Sequence, residues 1–215
     1  MGQRRLALDT SGQTQALVLL EGTQVVAAQT WVRISREAEP PLLARMQALV
    51  GEAGWRVGEL EAIAVGRGPG SFTSLRVGLA AAAGLAYGSG AGLFLLESLK
   101  VLANVANKAT GALRDAGHQE AYAWRPTQPA DRLLVTDIDG WMRLKDRIVV
   151  EPAGRLTVWA PSWTAAEVPP AERRALDVAL ATVAISEFEN GKAVGYDEVR
   201  PLYAQPAAAE ARRQQ

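Results

Sequence analysis

Between residues 62 and 96 the chain passes from an apolar run, Ala62-Ile63-Ala64-Val65, through the glycine-rich stretch "GRGPGSFTS" (66–74) and a long segment of small residues to a second apolar run, "LFLL". A short apolar run ending at glycine reads as a buried strand. Gly68, Pro69 and Gly70 supply a sharp turn out of that strand. Ser71 or Thr73 is positioned to cap a following helix by accepting backbone N–H bonds. On that helix Ala80, Gly84 and Gly88 recur every four residues beside a stripe of Leu75, Leu79, Ala82 and Ala86. Small residues let helix axes approach closely, so the helix is expected to be sandwiched between neighbours. Strand, close-packed helix and strand in succession place the chain in the α/β class.

The same region contains the one membrane-like feature, residues 77–96, uncharged and just long enough to span a bilayer. Its five glycines and the cluster "GSGAG" break it. A buried helix, a turn and a strand are predicted instead.

Upstream, "RLALDT", "TQALVLL" and "QVVAAQTW" are apolar or β-branched runs separated by "SGQ" and "EGT", which predicts three antiparallel strands. "PPLLARMQALVGEAG" predicts a helix opened by Pro40 and Pro41 and closed by Gly51 or Gly54. Its apolar stripe is Leu42, Leu43, Met46, Leu49 and Val50, serving the sheet or a partner. After the strand "LFLLE", the segment "SLKVLANVAN" is a helix with Ser98 as its expected cap. The texture changes near residue 107. "ATGALRDAGHQEAYAWRP" predicts two strands about a glycine turn, "DRLLVTDIDGWMRLKDRIVV" a hairpin about Asp139-Gly140, and "GRLTVWAPSW" a further strand. A helix from Pro170 to Gly191 follows. The division this suggests is an N-terminal lobe over 1–106, a C-terminal lobe over 107–205 and a flexible tail over 206–215.

The chain's 23 basic and 23 acidic residues balance, so no global field attracts a polyphosphate backbone. A role on RNA would therefore need a partner. With no cysteine, disulfides, zinc–thiolate sites and thiol catalysis are excluded together. The N-terminus meets Asp9 before an apolar core develops and is not read as a signal peptide. A reducing, cytoplasmic setting with no membrane association is expected.

The glycine loop lacks the lysine and spacing of a Walker A motif, and Ser71 stands where a dinucleotide fingerprint needs its last glycine. Pro69 and Thr73 occupy the flanks that a nucleophile elbow gives to glycine. His118, the one histidine, falls in the polar turn "DAGHQEA" and reads as a solvated residue rather than a catalytic base. "VTDIDGW" echoes a calcium loop, but Val135 and Asp146 fill positions that prefer other ligands, so a turn is the better reading. No catalytic constellation and no metal site emerge.

Five segments together closely resemble the TsaB (YeaZ) family: "LALDTS" at 6–11, "GRGPGSFTSLRVGLAAAAGLA" at 66–86, "SLKVLA" at 98–103, "LRDAGHQEAYA" at 113–123 and "EVRPLY" at 198–203. The resemblance runs over nearly the whole chain. It implies a two-lobed, actin-like (ribonuclease H-like) fold of mixed sheets flanked by helices. The function it implies is that of a non-catalytic subunit in the bacterial formation of N6-threonylcarbamoyladenosine at position 37 of tRNA. Such a subunit pairs with TsaD, which carries the metal and transfers the threonylcarbamoyl group, while TsaE joins as an ATPase. ATP, metal and tRNA are then met through the partners, and a lone TsaB forms a homodimer. By position, the implied partner surface is Leu42, Leu43, Met46, Val50, Leu75, Leu79 and Ala82. Asp9, Thr10 and Ser11 stand at the place of the first phosphate loop of actin-like proteins, here vestigial. The chain departs from the family pattern at Ser35–Pro41, at Ser74 and at Tyr203–Gln205. The alternative is an actin-fold phosphotransferase or a peptidase homologue.

Overall fold

The computed structural model describes residues 2–33, 40–142, 146–151, 167–172 and 174–203. The first sheet is built from β1 (Arg4–Asp9), β2 (Thr14–Glu21), β3 (Gln24–Val32), β4 (Ala62–Gly66) and β5 (Gly92–Leu96), in the order β3-β2-β1-β4-β5. The first three strands run antiparallel, and β4 and β5 add in parallel to β1. The parallel additions need crossovers. One carries α1 (Leu42–Glu52) between β3 and β4; the other is α2 (Phe72–Ser89) between β4 and β5.

Register explains why β1, β2 and β4 read as almost continuous apolar runs. Leu6 lies beside Leu19 and Ile63, and Leu8 beside Leu17 and Val65. Successive side chains alternate across a strand, so these leucines point together at α1 and α2 in one core. The intervening Ala7, Ala16, Val18 and Ala64 point to the opposite face. That face is covered by α3 (Ser98–Ala103) and by α5 (Leu176–Asn190), which returns from late in the chain to lie along β1, β2, β3 and β5. A sheet covered on both faces has no solvent side to mark with polar residues.

The second sheet repeats the first in reduced form. β6 (Gly111–Gly117), β7 (Glu120–Arg125), β8 (Gln128–Leu134) and β9 (Ile148–Val150) lie in the order β8-β7-β6-β9. Three strands are again antiparallel and a fourth adds in parallel to the first. Gly117, His118 and Gln119 all adopt positive φ at the β6–β7 turn. α3 joins the two units by packing on β6, β7 and β9 and against α5.

Three sequence expectations are corrected here. No hairpin forms about Asp139-Gly140; the chain makes a 3-10 turn at Val135–Asp137 and then α4 (Ile138–Trp141). The reason is topological: β9 runs parallel to β6, so the connection must cross over, and fully buried Ile138 anchors it. The C-terminal helix starts at Leu176 rather than Pro170, which lies in a 3-10 turn. The face of α2 carrying Ala80, Gly84 and Gly88 is uncovered, so α2 is buried on one side only. The strand expected at "GRLTVWAPSW" and the tail over 206–215 lie outside the described residues. Residues 77–96 form the predicted helix, turn and strand, with Gly90 in the left-handed region at φ 76°.

Candidate functional site

Two features stand out beyond the packed cores: a cluster of loops where the sheets approach one another, and the uncovered side of the α1/α2 pair.

The loop cluster begins at the end of β1, where Asp9, Thr10 and Ser11 are all buried. Each is engaged inside the chain. Asp9 Oδ1 accepts from the Ser11 N–H at 2.9 Å and from the Ser98 hydroxyl at 3.2 Å, and Ser98 Oγ accepts from the Gly68 N–H at 3.0 Å. Ser98 is thus not the cap of α3, a position held by Glu97; its hydroxyl ties the first loop to the glycine loop instead. Thr10 Oγ1 donates to the Ser74 carbonyl at 2.8 Å, and the Ser11 carbonyl accepts from the Ser71 N–H at 2.8 Å.

Glycine is demanded where these loops touch. A Cβ on Gly70 would sit 2.3 Å from the Ser11 carbonyl oxygen, and one on Gly78 would sit 2.3 Å from Thr10 Oγ1. Both distances are far inside van der Waals contact, so the glycines set how closely the loop and α2 approach β1. Gly68, at φ 103°, precedes Pro69 in the turn. Ser71 occupies the N-cap position of α2, but its side chain makes no capping bond. The hydroxyl instead donates to Ser74 Oγ at 3.1 Å and accepts from Arg33 Nη1 at 3.0 Å. Thr73 lies exposed within the first turn. Arg33 Nη1 also reaches the hydroxyl of Ser74, one of the positions where the chain departs from the family pattern.

From the second sheet, Arg114 on β6 enters the same cluster. Its Nη1 donates to Ser11 Oγ at 2.6 Å and to the Pro69 carbonyl at 2.8 Å, while Nε donates to Glu151 Oε2 at 2.9 Å. The pair is nearly dry, with side chains 6% and 9% exposed. Beside it opens a cleft of about 430 Å³ lined by Gly12, Arg33, Ser71, Arg114, Tyr122 and Glu151 among others. Arg114, Glu151 and Arg33 escaped the sequence reading, and Ser98 entered it only as an expected helix cap. Only Arg114, a charge interrupting a small-residue strand, carried a local signal, and nothing in spacing connects it to residues 11 or 151.

The residues proposed from sequence for a partner surface divide in two. Met46, Val50, Leu79 and Ala82 are buried in this chain's own core between the first sheet and the α1/α2 pair, and Leu75 is buried beside Gly68, so none of the five is available to a partner. Leu42 is half-buried, and Leu43 is 44% exposed. The surface that is free lies on the opposite sides of the same helices: Ala44, Ala48 and Gly51 on α1, and Ala80, Gly84 and Gly88 on α2. An added Cβ at Gly51, Gly84 or Gly88 would meet nothing within 4 Å. Val77 and Tyr87, the latter 79% exposed, flank this small-residue face.

His118 lies exposed in its turn. No group of three or more His, Asp or Glu side chains able to hold a metal ion is found among the described residues. No helix among them is long and apolar enough to cross a membrane.

Two mixed sheets of repeated topology, joined through helices and meeting at a glycine-rich loop cluster, define an actin-like, ribonuclease H-like α/β protein. Two solved structures share the fold, both at 23% identity and covering 94% of this chain. One is described as an uncharacterized protein with similarity to peptidase YeaZ from Pseudomonas aeruginosa (TM-score 0.73, all of that chain covered), the other as YeaZ from Pseudomonas aeruginosa (TM-score 0.67, 99% covered). Within this class the chain's resemblance is to TsaB (YeaZ). It is 27% identical to the tRNA threonylcarbamoyladenosine biosynthesis protein TsaB of Escherichia coli (strain K12), over 93% of this chain and 94% of that protein. It is 33% identical to the protein of the same name from Haemophilus influenzae, over 47% of this chain and 42% of that one. A family model described as TsaD, tRNA N6-adenosine threonylcarbamoyltransferase, matches residues 33–136.

Proposed function

We propose that this chain is a non-catalytic, scaffolding subunit of the machinery that makes N6-threonylcarbamoyladenosine at position 37 of tRNA, and that it acts by pairing with a TsaD-like transferase. The observation that carries the reading is the uncovered small-residue face of α1 and α2. Helices with alanine and glycine on their outer ridges permit close axial approach by another helix pair, and the residues lose little side-chain entropy on burial. The relatives' name supplies the pathway. In this reading the metal and the transfer chemistry belong to the TsaD-like partner, ATP hydrolysis to a TsaE-like subunit, and tRNA is met through the complex. Alone, the chain forms a homodimer through the same face.

An independent catalytic role, as an actin-fold phosphotransferase or a peptidase, finds no support in the site. Asp9, Thr10 and Ser11 are committed to internal hydrogen bonds, and the single histidine lies away in a turn. The match to a TsaD family model covers residues 33–136, and no group of three or more His, Asp or Glu side chains able to hold a metal ion is found among the described residues.

The test is co-purification with the TsaD-like protein of the same cell, followed by mass spectrometry of tRNA from a strain lacking this chain. A stable complex and loss of the modified base are expected. Absence of association together with unchanged tRNA threonylcarbamoylation overturns the proposal.

A further inference from the structure

We propose that the outer edge of β3 is a strand-addition site for a second copy of this chain. The two β3 strands pair antiparallel about Gln29 and join two copies of the first sheet into one. No residue of β3 belongs to the small-residue face of α1 and α2. This contact is therefore separate from the pairing proposed above, and the two stand or fall independently.

The first ground is how the chain treats its sheet edges. A bare edge presents unpaired N–H and C=O groups that template a further strand. Among the described residues the two sheets end at β3, β5, β8 and β9. β5 is covered by the returning chain, whose Val194 N–H donates to the Leu93 carbonyl at 2.8 Å. β9 is covered at Ile148, which bridges Glu167 and accepts from the Val168 N–H at 2.8 Å. β8 carries Pro129, Asp131 and Arg132, a proline and charges of the kind that deter another strand. β3 has none of these guards. Among the described residues nothing pairs with its outer side, and its nine residues, "QVVAAQTWV", include no charge and no proline. Val25, Val26 and Val32 stand 45%, 43% and 60% exposed along it.

The second ground is register. The Arg33 N–H donates to the Gln13 carbonyl at 2.9 Å, and bonded and non-bonded pairs alternate along an antiparallel ladder. Trp31, Gln29 and Ala27 therefore direct their backbone groups at β2, while Val32, Thr30 and Ala28 direct theirs outward. A bulge leaves Val26 without a partner on β2, so the regular part of the edge runs from Ala27 to Val32. Antiparallel pairing about Gln29 uses that part. Ala28 of each copy exchanges backbone bonds with Thr30 of the other, Gln29 faces Gln29, and small Ala27 faces large Trp31.

The third ground is charge, and it selects the occupant. Glu21 lies just before β3 and Arg33 just after it, and among the described residues neither is ion-paired. Antiparallel pairing sets the Arg33 end of each copy beside the Glu21 end of the other, whereas parallel pairing would set like beside like. Between those ends the strand is neutral, so no like charges oppose one another along the ladder. The edge is thus complementary to a second copy of itself, and strand addition of this kind draws its affinity from main-chain hydrogen bonds.

The test is made on the full chain carrying Gly84→Trp, which blocks the helix face and leaves the β3 edge intact. Sedimentation velocity is expected to show a reversible dimer. Thr30→Pro removes an outward N–H from each copy and no bond to β2, and is expected to weaken that dimer roughly tenfold or more while the melting temperature barely moves. Thr30→Lys places a charge on the edge and is expected to weaken it too, which decides the matter where the proline variant fails to fold. Register is read by crosslinking, since a chain without cysteine reports any single thiol introduced. Opposite Cα atoms of a non-hydrogen-bonded pair lie ~4.5 Å apart, within disulfide reach. Gln29→Cys is therefore expected to crosslink on mild oxidation, and Val32→Cys, which would face Val26 rather than its own copy, is not. A Gly84→Trp chain that stays monomeric, a dimer unmoved by the folded Thr30 variants, or crosslinking through Gln29→Cys no greater than through Val32→Cys overturns the proposal.

Discussion

Arg114 and Glu151 form an ion pair of 2.9 Å in which both partners come from the second sheet, yet the arginine's other contacts, to Ser11 and Pro69, lie on the first. The pair is thus part of the joint between the two units. Removing one member of a buried ion pair strands its partner's charge. Arg114→Met is expected to lower stability by about 3–5 kcal/mol, read from the midpoint of urea unfolding. Arg114→Met with Glu151→Leu is expected to recover most of that loss, because neither charge is then buried.

Gly78 and Gly84 sit on one helix and predict opposite behaviour. A methyl on Gly78 collides with Thr10 Oγ1 in the core, whereas one on Gly84 meets nothing. Gly78→Ala is expected to destabilise by about 1–3 kcal/mol through overpacking. Gly84→Ala is expected to stabilise the free chain by up to about 1 kcal/mol, from helix propensity. Gly84→Trp should leave the free chain folded and abolish pairing with the TsaD-like protein. Thermal melts and analytical size exclusion separate these outcomes.

Leu43 and Met46 give the same contrast on α1. Met46 is fully buried and Leu43 is not. Met46→Lys buries an unpaired charge and is expected to cost more than about 4 kcal/mol, which unfolds the chain and makes any loss of binding uninformative. Leu43→Lys should leave the melting temperature nearly unchanged, and its effect on complex formation reports on the edge of the proposed surface.

Glu59 gives the chain an acid-sensitive contact. The Arg56 backbone N–H, helped by the guanidinium groups of Arg4 and Arg56, holds its carboxyl below the usual carboxylate range against the opposing effect of burial. A lowered value in the folded state means the contribution is present above the ordinary carboxylate range and is lost as pH falls through the lowered value. Glu59→Gln is expected to flatten that part of the acid limb, measured as urea midpoints against pH, with little change near neutrality.

The elements with strong local signals were legible from residues alone. β1 to β3, α1, α2 and the break at Gly90 follow from apolar runs, turn residues and glycine punctuation, which act over a few neighbours. The connection around Asp139-Gly140 was not, because the Asp-Gly dipeptide suits a hairpin while the parallel pairing of β9 with β6 demands a crossover. Ser71 and Ser98 illustrate the same limit at the level of a side chain. Each stands where a cap is expected, yet each hydroxyl is drawn to a partner distant in sequence, Arg33 in one case and Asp9 in the other.

The amino-acid sequence by itself determined the α/β class, the apolar stripes and the absence of thiol and histidine-cluster chemistry, since these depend on which side chains exist and how they repeat. Only the tertiary structure decided which side of α2 is core and which is surface. Leu75, Leu79 and Ala82 are buried, and Ala80, Gly84 and Gly88 are exposed, because the leucines recover more from leaving water than the glycines do. It likewise decided that Arg114 meets both Ser11 and Glu151, an encounter across more than a hundred residues on one side and 37 on the other, produced by sheet pairing rather than by local pattern.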